Sequence, residues 1–257
     1  MEHIINKKLV FDAVRVMLGR GFSQDEIDSL DRALDVALAL PSASSSRRLG
    51  ALSERFESGD RGPGAVSSGQ GDPGGVSYGI WQLSSRAGTA AAFVAGEGAR
   101  WRTDFRGAAP GTPAFSAAWR AIAVREPAAF TEAQHAFIAR THYGPAVVAV
   151  RQRSGLDLDT RHAAVRDATW SVAVQHGGAA KILADAVARA DAALARAEPG
   201  YDRSLVEAIY AERGAYVLRV AARAGGAQRR LLEAVTRNRY PAELAAALAL
   251  FASSTTA

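Results

Sequence analysis

Apolar positions recur at helical spacing along most of this 257-residue chain, and one glycine-rich stretch interrupts them. Residues 8–40 predict a helical hairpin. Leu9, Val10, Ala13, Val14 and Met17 mark its first helix, which Gly19 and Gly21 break. Ser23-Gln24-Asp25-Glu26 reads as a capping box, with Phe22 and Ile27 placed as a hydrophobic staple. Ile27, Leu30, Leu34 and Leu38 stripe the second helix, and Pro41 with the serine-rich run to Ser46 forms a linker. A further helix is expected from near Arg47, with Leu49, Leu52 and Phe56 on one face, Glu57 at its end and Gly59 as its cap. From Gly59 to Gly79 there are eight glycines in 21 residues, a density that means tight turns. Val76–Leu83 predicts a short β element.

Helical spacing then returns. Thr89–Ala95 is one piece, and Thr112 can cap a helix that has Pro113 at its first position. Thr131 and Gln134 read as a capping box for a helix running to Tyr143, which Gly144-Pro145 bends or ends. Residues 162–176 are apolar with few charges, which suggests a central buried helix. Helices over 179–197, 202–223, 227–237 and 241–252 follow. The pattern predicts a mainly α (α+β) protein: a helical lobe with a small β-rich wing, preceded by an N-terminal helical hairpin. The expected division is residues 1–45 for the hairpin and 46–257 for the larger domain.

Composition narrows the function classes. Apolar residues make up 48 % of the chain, enough for a large core, and there is no Cys, so disulfides and thiolate chemistry are excluded. Residues 1–45 hold five Lys/Arg against seven Asp/Glu, so with the whole chain at +5 residues 46–257 carry +7. A basic body favours an anionic partner. No basic run with interleaved aromatics points to nucleic acid. The first residues carry no run of signal-peptide length and no stretch spans a bilayer, so synthesis in the cytoplasm is expected. The histidines share no ligand spacing, so neither a metal nor an organic cofactor is expected, and a monomer is expected.

The candidate chemistry lies in the glycine-rich stretch. Cleaving a bond between sugars needs two acids across a cleft. Glu57, after Phe56 on an apolar face, is placed to keep its proton and donate it to the leaving oxygen. Asp72 sits among backbone N–H groups that keep it ionised, fit to take a proton from water. Ser77, five residues on, can hold that water. Tyr78, Trp81 and Gln82 can contact a saccharide; Tyr143, Gln175 and His176 can line the same groove, with core roles as the alternative for Tyr143 and His176. Taken singly, a Glu at a helix end is a solvated charge and an Asp before Pro shapes a turn. Their combination within 26 residues shifts the balance towards catalysis. Two carboxyls roughly 6.5–9.5 Å apart imply inversion, the outcome expected here, and closer pairs imply retention.

The segment Phe56-Glu57-Ser58-Gly59, Gly62-Pro63-Gly64, Ser67-Ser68-Gly69 and Gly71-Asp72-Pro73-Gly74-Gly75-Val76-Ser77-Tyr78-Gly79-Ile80-Trp81-Gln82-Leu83 resembles the motif of lysozyme-like peptidoglycan hydrolases. That group includes phage endolysins and the muramidase-like C-terminal domains of some type VI secretion spike proteins. The resemblance runs on through Gln134…His142-Tyr143 and Trp170–Gly177, covering roughly residues 47–250. It implies a lysozyme-like fold, Glu57 as the acid and Asp72 as the second carboxylate. A more distant similarity is to chitosanases, where a Thr stands at the position of Ser77. Relatives have Tyr at Phe56 and Trp81. The expectation is a muramidase acting on peptidoglycan glycan strands in the bacterial cell wall, released through a holin or delivered by a secretion machine. Chitosanase, lytic transglycosylase and a non-catalytic glycan-binding module are the alternatives.

Overall fold

The computed structural model describes residues 23, 26, 48–52, 62–72 and 74–253. The chain divides into two compact units, residues 1–48 and 49–257. In the first, the Ser23 N–H donates to Glu26 Oε2 (2.9 Å) and the Glu26 N–H donates to Ser23 Oγ (3.3 Å), the reciprocal bonds of the expected capping box. The rest of the expected hairpin, its staple and its linker lie outside the described residues, as does the stretch Phe56–Gly59 with Glu57.

Among its described residues the second unit is mainly helical, with one small antiparallel pair, β1 (Ser77–Tyr78) and β2 (Leu83–Ser84). From Thr89 on its helices are α1 (Thr89–Ala95), α2 (Pro113–Arg125), α3 (Pro127–Ile138), α4 (Gly144–Ser154), α5 (Ala163–Gln175), α6 (Ala179–Ala193), α7 (Tyr201–Arg223), α8 (Gly226–Ala234) and α9 (Tyr240–Ser253). Short 3₁₀ turns cover Ala99–Phe105 and Leu158–Thr160. One-turn π segments, Ala139–Tyr143 and Val235–Arg239, join α3 to α4 and α8 to α9.

Local chemistry sets the boundaries. Thr112 Oγ1 accepts the Phe115 N–H (3.2 Å) and Pro113 opens α2, where its missing N–H costs nothing. Helix α3 begins at Pro127, so Thr131 and Gln134 lie inside it and form no capping box. Gly144 stays helical and Pro145 sits in the first turn of α4, so this pair redirects the chain without stopping it.

Two packed centres hold the unit together. Helix α5 is the buried helix expected near 162–176, with Val165, Ala168, Trp170 and Val172 fully enclosed and α7 against it. Burying four such side chains contributes several kcal/mol. The other centre is aromatic. Trp119 is fully buried, with ring centroids at 4.8 Å from Phe130, 5.2 Å from Tyr78 and 5.3 Å from Phe93. The wing leans on this second cluster. Its β pair is widened by Val66, which bridges Tyr78. The Ser67 N–H donates to the Ser77 carbonyl (2.9 Å) and the Gly79 N–H donates to the Ala65 carbonyl (2.7 Å).

Candidate functional site

Asp72 stands on the exposed loop leading into β1. The Gly74 N–H donates to its Oδ1 (2.7 Å) and the Gly75 N–H to its carbonyl (2.9 Å), an Asx turn that fixes one carboxylate oxygen. The loop is laced to β2: Ser84 Oγ donates to the Gly74 carbonyl (2.5 Å), as does the Arg86 N–H (3.1 Å). Gly75 has φ +74°, and a Cβ there would meet Ser85 Oγ at 2.6 Å. The turn therefore needs glycine, and Asp72 is held by short, local bonds.

Ser77 is buried on β1, with its N–H on Ser67 Oγ (2.8 Å) and its carbonyl also bonded to Ser67. Both main-chain groups are committed, so the hydroxyl is what it can offer. Gln82 sits at φ +54° and its Nε2 donates to the Gly79 carbonyl (3.0 Å), closing the turn between the strands. Tyr78 departs from the expected role: it is fully enclosed, its hydroxyl pairs with Ser116 Oγ (3.0 Å) and accepts the Gly111 N–H (2.8 Å). It anchors the wing from within the core and presents nothing to a saccharide. Trp81 is likewise buried, packed 5.5 Å from Trp170.

One side chain missed at the level of sequence ties wing to lobe. Gln134 of α3 is fully buried; its Oε1 accepts the Ile80 N–H (3.1 Å) and its Nε2 donates to the Pro63 carbonyl (3.0 Å). Trp119 Nε1 donates to the same carbonyl (2.8 Å). Gly79 lets the amide approach, since a Cβ there would fall 2.1 Å from Gln134 Oε1. No local signal marks this bracket, because its partners lie 54 and 71 residues away.

The segment that leads towards Glu57 is docked by other side chains. The Gly50 N–H donates to Asp167 Oδ1 (2.6 Å), His135 Nε2 lies 2.6 Å from the Leu49 carbonyl, and Leu52 is buried.

Of the remaining expected contacts, Tyr143 is buried and Gln175 and His176 are half-buried. Tyr143 is buried in the π turn, its ring 5.5 Å from Trp170 and its hydroxyl donating to Asp159 Oδ1 (2.7 Å). Burial and the neighbouring Asp159 carboxylate push its pKa up, so it stays protonated. This is the core role weighed as its alternative. Gln175 and His176 meet Arg213, which is fully buried on α7. Gln175 Oε1 accepts from Arg213 Nε (3.1 Å), from its Nη2 and from the Tyr240 hydroxyl (3.1 Å). His176 Nε2 lies 3.3 Å from Arg213 Nε and 3.2 Å from the Tyr240 hydroxyl. Burial, with Arg213 and Arg239 nearby, pushes His176 down to about 3, so the ring is neutral. Arg213 also pairs with the fully buried Glu243 (3.3 Å), which the Ser171 hydroxyl contacts. Gln175 and His176, both half-buried, thus take part in a polar network joining α5, α7 and α9. Arg213 was not legible as its hub, because one Arg among the four of a 23-residue helix reads as surface.

Among the described residues no three His, Asp or Glu side chains gather as a metal site, and no helix is long and apolar enough to cross a membrane. What the described site can do chemically is present one oriented, exposed carboxylate on a rigid wing.

A family model described as Type VI secretion system spike protein VgrG3-like, C-terminal, matches residues 49–238. The chain is 41 % identical over 139 residues to the type VI secretion system spike protein VgrG3 of Vibrio cholerae serotype O1 (strain ATCC 39315 / El Tor Inaba N16961). That alignment covers 54 % of this chain and 13 % of the Vibrio protein, so the chain corresponds to a small part of its relative. With a match that takes in both packed centres and the whole of the wing, the chain belongs to the family of VgrG3-like C-terminal domains of type VI secretion spike proteins.

Proposed function

We propose that residues 49–257 form a peptidoglycan hydrolase of muramidase type, cutting the β-1,4 bond between N-acetylmuramic acid and N-acetylglucosamine. Glu57 donates a proton to the leaving oxygen. Asp72 takes a proton from the attacking water, and the Ser77 hydroxyl orients that water. The observation that carries this reading is the Asp72 turn: an exposed carboxylate with one oxygen fixed by the Gly74 N–H, on a wing bracketed into the lobe through Gln134. Such a group is held ready without rearrangement. The basic balance of residues 46–257 suits an anionic wall better than the polycation chitosan. Membership of a spike-protein family favours delivery by a secretion machine over release through a holin.

The test is mass spectrometry of fragments released from purified sacculi by the full chain and by its Glu57→Gln and Asp72→Asn variants. The expected result is new N-acetylmuramic acid reducing ends from the unaltered chain, and none from Glu57→Gln at an unchanged fold. Products ending in 1,6-anhydro sugars with Asp72 dispensable would identify a lytic transglycosylase. Wall binding with no new ends would leave a glycan-binding module and refute the reading.

A further inference from the structure

We infer that the tip of the α7–α8 hairpin docks on an anionic phospholipid bilayer, whether or not the hydrolase reading holds. Residues 214–242 carry six arginines against one acid, Glu233, a balance of +5. That equals the net charge of the whole chain, so acids and bases outside the segment cancel. The basic character is therefore concentrated in one place. Elsewhere on the unit, arginines such as Arg100, Arg125 and Arg196 lie against carboxylates at 2.6–2.7 Å. Residues 218–231 contain four arginines and no acid. Among the described residues only Arg229 of these four has a carboxylate partner, Glu233 (2.8 Å).

The fold puts this segment at an outer corner. After Gly225 helix α8 turns back along α7, with Leu232 and Val235 packed on the core and Thr236 beside Gly214. Beyond those anchors the two helices project. Of the fourteen residues 218–231, twelve are exposed and only Ala221 is buried. Of the five large apolar side chains exposed among the described residues, three are here: Leu218 (47 %), Val220 (38 %) and Leu231 (65 %). One exposed leucine is ordinary. Three interleaved with four arginines on a single tip mark a contact surface.

The chemistry selects the partner. Arg219 and Arg223, four apart on one helix, repel each other, and an anionic surface relieves that repulsion. A polyanion alone would call for the arginines but not for the leucines and the valine. Nucleic acid would also call for stacking aromatics, and 218–231 has none. Guanidinium groups beside bare aliphatic side chains match the boundary between anionic headgroups and acyl chains. The contact is peripheral, since no helix among the described residues is long and apolar enough to cross a membrane.

The test is co-sedimentation of the full chain with large unilamellar vesicles. One arm uses phosphatidylglycerol mixed with phosphatidylethanolamine, the other phosphatidylcholine alone. Binding is expected only in the first arm, and it should weaken as salt is raised. Each arginine at an anionic surface strengthens binding about fivefold, so Arg219→Gln, Arg223→Gln and Arg230→Gln together should weaken it about 100-fold. Leu231→Ser should weaken it about tenfold with the charge unchanged. A control, Arg106→Gln with Arg120→Gln and Arg153→Gln, removes the same charge from exposed positions outside the tip and should cost less than about threefold. All the substituted side chains are exposed, so the helical circular dichroism should not change. No binding to anionic vesicles overturns the inference, as does a control as damaging as the tip variant, or a Leu231→Ser variant that binds unaltered. Tip-dependent binding to purified sacculi but not to vesicles would also overturn it, and would assign the tip to the wall.

Discussion

The bracket between Gly79 and Gln134 makes a quantitative prediction through a double-mutant cycle. In Gly79→Ala the new methyl must take a φ of +73°, which costs about 1–2 kcal/mol in an L residue. Its Cβ would lie 2.1 Å from Gln134 Oε1 and 3.1 Å from Trp119 Cζ2. The amide must move, and moving it strips the buried Ile80 N–H of its acceptor, for about 1–3 kcal/mol more. The single change is therefore expected to cost about 2–5 kcal/mol. Gln134→Ala strips the same N–H and leaves a void, for about 2–4 kcal/mol; the Pro63 carbonyl keeps its bond from Trp119. In the double variant the lost N–H bond counts once and the clash has gone. The two costs should then fall short of additivity by about 1–3 kcal/mol. Urea unfolding of the four proteins, followed by Trp fluorescence, reads this directly, since all four tryptophans fall within the second unit. Additivity within about 0.5 kcal/mol would refute the claim that these residues share one contact.

Other outcomes follow from the same structure. Arg213→Met removes one of the two arginines paired with the buried Glu243, leaving Arg239 at 3.3 Å, and should cost about 1–3 kcal/mol, whereas Arg213→Met with Glu243→Met should recover part of that in urea unfolding. His176 takes a proton near pH 6.5 when unfolded but only near pH 3 when folded. The unfolded state thus binds more protons between those values, so stability present above pH 6.5 is lost as pH falls towards 3, by at most about 1.4 kcal/mol per pH unit. His176→Asn should flatten that limb, which thermal melts from pH 7 to 4 would record. Gly75→Ala, which drives a methyl against Ser85 Oγ, should slow release of glycan fragments about tenfold while the α-helical circular dichroism is kept.

What the sequence discloses is what neighbouring residues decide among themselves. Thr112 with Pro113, Ser23 with Glu26, and the apolar run around Trp170 act within a few positions, and each stands in the structure as its pattern predicts. The turn-rich wing is legible for the same reason, because glycines at +73° to +74° announce themselves. Partnerships across the chain are not legible. Gln134 looks like the end of a local capping box, yet its bonds run to Ile80 and Pro63. Gln175 and His176 carry no sign in the sequence of their bonds to Arg213, 38 and 37 residues on. Tyr78 shares the fate of any aromatic in a binding motif that the core needs more, and Ser116 and Gly111 show where its hydroxyl goes.

The wide turn at Ala139–Tyr143 has a consequence for how this domain varies among its kin. Each π segment accommodates one surplus amino acid, swinging everything downstream by roughly 100° about the axis. Deleting one residue there would regularise the rod but turn Tyr143 off Trp170, while Gln134 and His135 upstream kept their places. Homologues that differ by a single-codon gap here should therefore differ in how α4 is rotated, with the bracket on the wing untouched.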